Sequence, residues 1–264
     1  MEPLAYYIIS LIIILSITTI LFFVAQQKKD NSIIDIAYGL TFVIATLVLT
    51  TMKLQASALA PASVLILLLI TLWGMRLAYR IYSKNKGKPE DFRYQAWRTS
   101  WMRKGLRYYY LRACLQIFVL QGLIISIVLL PFTLTLTPTT LPSSLIFFGF
   151  ILWCIGFYFE VVGDKQLDAF IKRRHEGNKI MQSGLWKYTR HPNYFGESTM
   201  WFGLAFIAYS SGVSFLVFLS PILITYLLLK VSGIPMLEKR WAGVPEWEVY
   251  KAKTSAFIPL PPGK

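Results

Sequence analysis

Residues 194–231 read YFGESTMWFGLAFIAYSSGVSFLVFLSPILITYLLLKV. A membrane helix needs roughly 17–25 residues, so this run is too long to cross a bilayer once. Ser210-Ser211-Gly212 interrupts it, and small polar residues beside a glycine are breaker signals. The stretch therefore predicts two short helices. Directly before and at its start stands a dense polar group, Arg190, His191, Asn193 and Glu197. A carboxylate and an amide at the mouth of a membrane helix are costly unless something pairs with them. This boundary marks a candidate site.

Working outward, apolar runs of spanning length occur at Pro3–Ala25, Ile33–Met52, Ala58–Tyr82, Tyr108–Pro131 and Leu141–Gly163. With the two helices of 194–231 they predict seven transmembrane helices in one all-α membrane domain over residues 1–264. The first run has no basic segment ahead of it, and Lys28 and Lys29 follow it. It reads as a membrane helix rather than a signal peptide. The 55% apolar composition and positive mean hydropathy agree with a chain built for the bilayer.

Charge sets the expected orientation. Of 27 Lys and Arg, only Lys53 falls in an even-numbered connection; the others cluster around 26–32, 76–112, 164–193 and 230–264. The positive-inside rule makes those four regions cytoplasmic, with the N-terminus outside and the C-terminus inside. Seven spans satisfy that alternation and six do not. The net charge of +14 thus follows from topology, and a chain this apolar is a poor nucleic-acid partner. Cys114 and Cys154 both sit in apolar spans and read as inert buried thiols. Two Cys and two His without ligand spacing predict no metal site.

Three further groups carry potential chemistry. Tyr94, Trp97, Trp101 and Tyr108 fall on one stripe at helical spacing, with Arg93, Lys104 and Arg107 beside them. That pattern predicts an interfacial amphipathic helix, aromatic face down; alternatively some of its cations hold a phosphorylated cofactor. Glu160, Asp164 and Asp168 recur every four residues, and like charges at that spacing repel. They read as ligand-binding, or as a structural network with Lys165, Lys172, Arg173 and Arg174. Asp35 stands a few residues inside the second span with Tyr38 one turn on, while Arg76, Tyr79 and Arg80 lie at the end of the third. These are either an interhelical Asp–Arg clamp or the acid that polarises a substrate carbonyl.

Several of these residues also form longer motifs. They are Gly-Lys-Pro-Glu-Asp-Phe-Arg-Tyr at 87–94, Glu160-x3-Asp164-x-Gln166-Leu167 and Gly-Leu-Trp-Lys-Tyr-Thr-Arg-His-Pro-Asn-Tyr-Phe-Gly-Glu at 184–197. Ser232-Gly233-Ile234-Pro235-x2-Glu238 and Thr254-Ser255-Ala256-Phe257-Ile258-Pro259 follow. Together they resemble the bacterial DUF1295 family, within the steroid 5-alpha-reductase C-terminal superfamily.

The resemblance implies a seven-helix reductase of the bacterial inner membrane, using NADPH from the cytoplasmic side. Helices 1–4 would enclose an apolar lipid or sterol-like substrate, and helices 5–7 with the cytoplasmic loops would hold the cofactor. It implies that Asp164, Asn193 and Glu197 hydrogen-bond NADPH and that Arg93, Tyr94 and Arg98 assist with its phosphates. Glu160, Tyr188, Arg190, His191 and Glu238 complete the candidate cofactor residues. Hydride would pass to the β-carbon of an enone, with Asp35, Tyr38 and Tyr79 as candidate catalytic residues. Steroid enzymes carry a Gln-Glu pair in the second span and a proton-donating Tyr in the third. This chain has Asp35 and Tyr38 in the second, and Leu72-Trp73-Gly74-Met75 where that Tyr is expected. The Arg-His-Pro-x-Tyr core also resembles isoprenylcysteine carboxyl methyltransferases, which use S-adenosylmethionine. That enzyme and a non-catalytic lipid-binding protein are the alternative readings.

Overall fold

The computed structural model describes residues 2–137, 144–173 and 180–263. Among them all regular structure is helical. The long helices are α1 (Pro3–Lys28), α2 (Ile33–Ala56), α3 (Pro61–Asn85), α8 (Leu145–Arg173) and α9 (Pro192–Tyr209). Between α3 and α8 lie α4 (Phe92–Met102), α5 (Leu106–Arg112), a π-helical segment Ala113–Val119, α6 (Leu120–Val128) and α7 (Leu130–Thr135). After α9 come α10 (Leu219–Tyr226), a second π segment Leu227–Val231, α11 (Ile234–Lys239) and α12 (Pro245–Lys253). Proline opens α1, α3, α9 and α12, where its missing N–H breaks no helical bond.

Six stretches among the described residues are long and apolar enough to cross a membrane. They are Pro3–Lys28, Ile33–Ala56, Pro61–Asn85, Leu106–Val128, Leu145–Arg173 and Phe215–Lys239. The expected division of 194–231 is present: α9 stops at Tyr209 and Gly212 turns the chain at φ 73°. One of the seven expected spans, α9, falls outside this set. Asn193, Glu197, Ser198 and Thr199 in its first turns dilute its apolar character. The fifth span runs ten residues past the expected Gly163; its expected start, Leu141, lies outside the described residues.

The chain divides into two compact units, Met1–Leu141 with Ser211–Val217, and Pro142–Ser210 with Phe218–Lys264. In the first, α2 and α3 meet where Gly39 faces Gly74; a Cβ on Gly39 would stand 2.4 Å from the Gly74 carbonyl oxygen. A core of Ala25, Ile34, Tyr94, Trp101, Tyr109, Ala113, Ile117 and Phe118 joins α1, α2, α4 and α5 to the π segment. This changes the reading of the aromatic stripe. Tyr94 and Trp101 face protein rather than a membrane surface, and exposed Trp97 stacks on Trp101 at 5.8 Å. Gly105, at φ 106°, turns the chain before Tyr108, so the stripe is split over two helices.

In the second unit α8 and α9 approach with backbones nearly touching. Gly149, Gly156 and Gly163 recur every seven residues on α8, opposite Gly203, Gly196 and Pro192 on α9. A Cβ on Gly156 would lie 2.5 Å from the Gly196 carbonyl oxygen, and one on Gly203 2.6 Å from that of Gly149. Small residues at such spacing let membrane helices pack by van der Waals contact where no hydrophobic effect separates helix from lipid.

Candidate functional site

The close approach of α8 and α9 sets the polar group of the second unit. Gly163 admits the Pro192 ring at 3.1 Å from its notional Cβ, which brings the first turn of α9 beside Asp164. Asn193 Nδ2 then donates to Asp164 Oδ1 in a long contact of 3.5 Å. Glu160 and Asp164 are each only 4% exposed, whereas Asp168, Asn193 and Glu197 are half-buried. The four-residue ladder on α8 therefore runs from the interior outward.

The segment preceding α9 is bound onto α8 residue by residue. Gln166 Oε1 accepts from the Leu185 amide at 2.9 Å, and Trp186 Nε1 donates to the Gly163 carbonyl at 3.0 Å. Gly184 sits at φ 63°, directly over the Gln166 side chain. Tyr250 donates its hydroxyl to the Trp186 carbonyl, and burial raises that phenol above its usual pKa.

Arg190 and His191 converge on Glu238. Arg190 Nε donates to Glu238 Oε1 at 2.9 Å, and His191 Nε2 lies 3.2 Å from the same oxygen. Lys251 Nζ stands 3.7 Å from Glu238 Oε2. Arg190 also holds the chain's last segment: Nη1 donates to the carbonyls of Lys251 and Thr254, and its amide to that of Ser255. The Leu260 amide donates to the Tyr188 carbonyl at 3.0 Å, while the Tyr188 side chain is exposed. Burial lowers the His191 pKa below the usual histidine value, against the upward pull of Glu238. A neutral imidazole then donates from Nε2 to the carboxylate.

In the first unit the sequence-predicted residues gather at the start of α2 and α4. Asp35 Oδ1 accepts from the Tyr94 hydroxyl at 2.6 Å and Asp35 Oδ2 from Arg93 Nη2 at 2.9 Å. Asp91 caps α4 by accepting from the Arg93 amide at 3.0 Å and from Arg93 Nε at 2.9 Å. Burial opposes ionisation of Asp91, yet the Arg93 hydrogen bonds hold its pKa below the usual carboxylate value. Burial and the Asp35 charge push Tyr94 well above the usual phenol. Arg98 makes a two-point pair with Glu90, both at 2.9 Å, and Glu90 also accepts from the Asn31 amide at 2.7 Å. Behind them Tyr109 donates to Gln26 at 2.6 Å and accepts from Asn31 at 3.3 Å.

The candidate residues thus fall into three groups: Asp35 with Arg93 and Tyr94, Arg190 and His191 with Glu238, and Asp164 with Asn193. Arg93 and Arg98, expected beside cofactor phosphates, are matched by three carboxylates of their own surroundings. Tyr38 lies among Phe42 and Trp73, with ring centroids 5.2 and 6.3 Å away. Tyr79 is 74% exposed, on a different face of α3 from buried Trp73 and Ala78. Asn31, Glu90, Asp91, Gln166 and Tyr250 were not among the candidates. An acidic residue directly before Phe92 is a helix-start signal, so Asp91 was within reach; the others depend on contacts far along the chain.

Comparison with known proteins accords with the motifs. The family model described as "Protein of unknown function (DUF1295)" matches residues 21–254. A stretch of 78 residues is 37% identical to 3-oxo-5-alpha-steroid 4-dehydrogenase 1 of Rattus norvegicus, covering 29% of this chain and 30% of that protein. A stretch of 62 residues is 38% identical to steroid 5-alpha-reductase DET2 of Gossypium hirsutum, covering 24% of each. The likeness therefore spans less than a third of these relatives' length. No solved structure matches. With nearly its whole length matched, this chain belongs to the DUF1295 family.

Proposed function

We propose that the chain is an NADPH-dependent reductase of a carbon–carbon double bond in an apolar enone or sterol-like lipid. The likeness to 3-oxo-5-alpha-steroid 4-dehydrogenase 1 carries this reading, together with six helices among the described residues that are suited to a bilayer. The basic connections face the cytoplasm in this proposal, so a soluble cofactor reaches them.

The donor set at the start of α9 fits a dinucleotide. Asn193 offers an amide donor and acceptor, and Glu197 and Asp164 offer carboxylate acceptors for ribose hydroxyls or a carboxamide. Asn193 and Glu197 are half-buried, as ligand-contacting groups need to be, and stand one turn apart on the same face of α9. The N-terminal turn of that helix carries partial positive charge. Arg190, His191 and Glu238 are assigned as positioning residues, because their polar atoms already bind one another and the terminal segment. Bound NADPH supplies hydride. At the substrate, Asp35 and Tyr38 on α2 are the candidates for the carbonyl; Tyr94 donates to Asp35 at 2.6 Å and so holds that carboxylate in place. Tyr79, exposed on α3, is the third catalytic candidate.

Purified chain incubated with NADPH and a 3-oxo-4-ene sterol should oxidise the cofactor and yield the saturated ketone in equal amounts. Absence of turnover with any enone tried, together with methyl transfer from S-adenosylmethionine, would replace this reading with the methyltransferase.

A further inference from the structure

The first unit carries a second charged surface that the proposed reaction does not use. Between Asp91 and Glu160 the sequence contains no acidic residue, yet Arg93, Arg98, Arg103, Lys104, Arg107 and Arg112 all fall there. The structure separates these six cations into two classes. Arg93 and Arg98 are paired with Asp35, Asp91 and Glu90. Arg103, Lys104, Arg107 and Arg112 are exposed around the elbow where Gly105 turns α4 into α5.

Two of the elbow cations converge on one aromatic ring. Lys104 Nζ lies 5.2 Å from the Tyr108 ring centroid and Arg112 Cζ 5.5 Å, while Arg112 Nε donates to the Tyr108 hydroxyl at 3.1 Å. Met102, Leu106 and Leu111 project from the same elbow as exposed large apolar side chains. Next to it, Phe92, Gln95, Ala96, Thr99, Ser100 and Arg103 line an open groove of about 380 Å³ on α4. Cations held around an aromatic ring, interleaved with exposed apolar side chains and beside a groove, match the chemistry of a phospholipid: an anionic headgroup above acyl chains.

We propose that the α4–α5 elbow is a binding site for an anionic phospholipid headgroup, held by Arg103, Lys104, Arg107 and Arg112. Met102, Leu106 and Leu111 enter the acyl region beneath it. The occupant is a bilayer lipid rather than free phosphate, because the exposed apolar side chains contribute only where acyl chains are present. The proposal does not depend on the reductase reading, since its readout is lipid binding and not turnover.

The test uses the full chain purified in a neutral detergent and titrated with phosphatidylglycerol or phosphatidylcholine. Native mass spectrometry counts retained lipids, and a thermal melt reads stabilisation. Wild type should retain phosphatidylglycerol in preference to phosphatidylcholine and melt higher with it; inorganic phosphate should not reproduce the effect. Replacing all four cations by Gln should remove the preference, with affinity falling about fivefold for each charge, equivalent to ~1 kcal/mol. A control with Lys187, Lys239, Arg240 and Lys253 replaced by Gln removes the same charge elsewhere and should keep it. If the combined variant does not fold, the four single variants should each weaken retention. An unchanged preference in the elbow variants, equal loss in the control, equal stabilisation by inorganic phosphate, or no preference in wild type would overturn the proposal.

Discussion

Arg190 Nε meets Glu238 Oε1 at 2.9 Å although the two lie 48 positions apart. Arg190 is 8% exposed and Glu238 12%, so both charges sit largely out of water. The same arginine binds three backbone carbonyls of the terminal segment through its side chain and amide. One ion pair therefore joins the start of α9, the end of α11 and the chain beyond α12. Removing one partner of a pair this buried strands the other charge. Glu238→Gln should lower stability by about 2–4 kcal/mol, read as a drop in Tm in detergent. An unchanged melt would mean that the pair contributes little.

His191 gives this region a pH dependence. Its folded pKa lies below the usual 6.5 because of burial. Below pH 6.5 the unfolded chain binds a proton that the folded chain does not, so stability falls as pH drops from about 6.5 through the lower folded pKa. The slope contributed is at most ~1.4 kcal/mol per pH unit. His191→Gln keeps a donor toward Glu238 and should flatten the decline over that window. Parallel profiles for both proteins would refute the assignment.

The α8–α9 contact is sensitive to a single methyl-bearing side chain. Gly196 faces the Gly156 carbonyl oxygen at 2.5 Å and the Glu160 amide at 2.6 Å from its notional Cβ. Gly196→Val should force the helices apart at a cost of roughly 1–3 kcal/mol, and should weaken cofactor binding by shifting Asp164 away from Asn193. A variant with wild-type Tm would show that the helices have slack there.

Much of the helical framework was legible in the sequence, because spanning length and proline at helix starts are local signals. The break at Ser210–Gly212 was legible for the same reason. Where α9 ranks among the spans was not, since its polar first turns offset the apolar residues that follow them. The glycine step of seven on α8 and α9 was visible but has meaning only once the helices face each other. Among site residues, periodicity put Asn193 and Glu197 on one helix face and Glu160, Asp164 and Asp168 on another, and the structure adds the contact of Asn193 with Asp164 between the two helices. Asp35 and Arg93 were both singled out, yet their pairing across 58 positions depends on how the α3–α4 connection folds back. The resemblance implied Arg93 and Arg98 as phosphate ligands; in the structure they pair with nearby carboxylates.

Tyr94→Phe isolates that network. It leaves Asp35 Oδ1 without its 2.6 Å donor, an unsatisfied acceptor costing about 1–3 kcal/mol. The melt should fall, and turnover of an enone should fall further than cofactor affinity. Equal loss of both, or of neither, would show that Tyr94 does not position Asp35 for turnover.

Equilibrium binding of NADPH to the purified protein tests whether the start of α9 holds the cofactor. Saturable NADPH binding should raise Tm by mass action. Asn193→Ala and Glu197→Gln should each weaken that binding about tenfold, the worth of one hydrogen bond at ~1.4 kcal/mol, while the unliganded melt stays within a degree or two. Stabilisation by S-adenosylmethionine but not by NADPH, or undiminished NADPH affinity in both variants, would contradict the account.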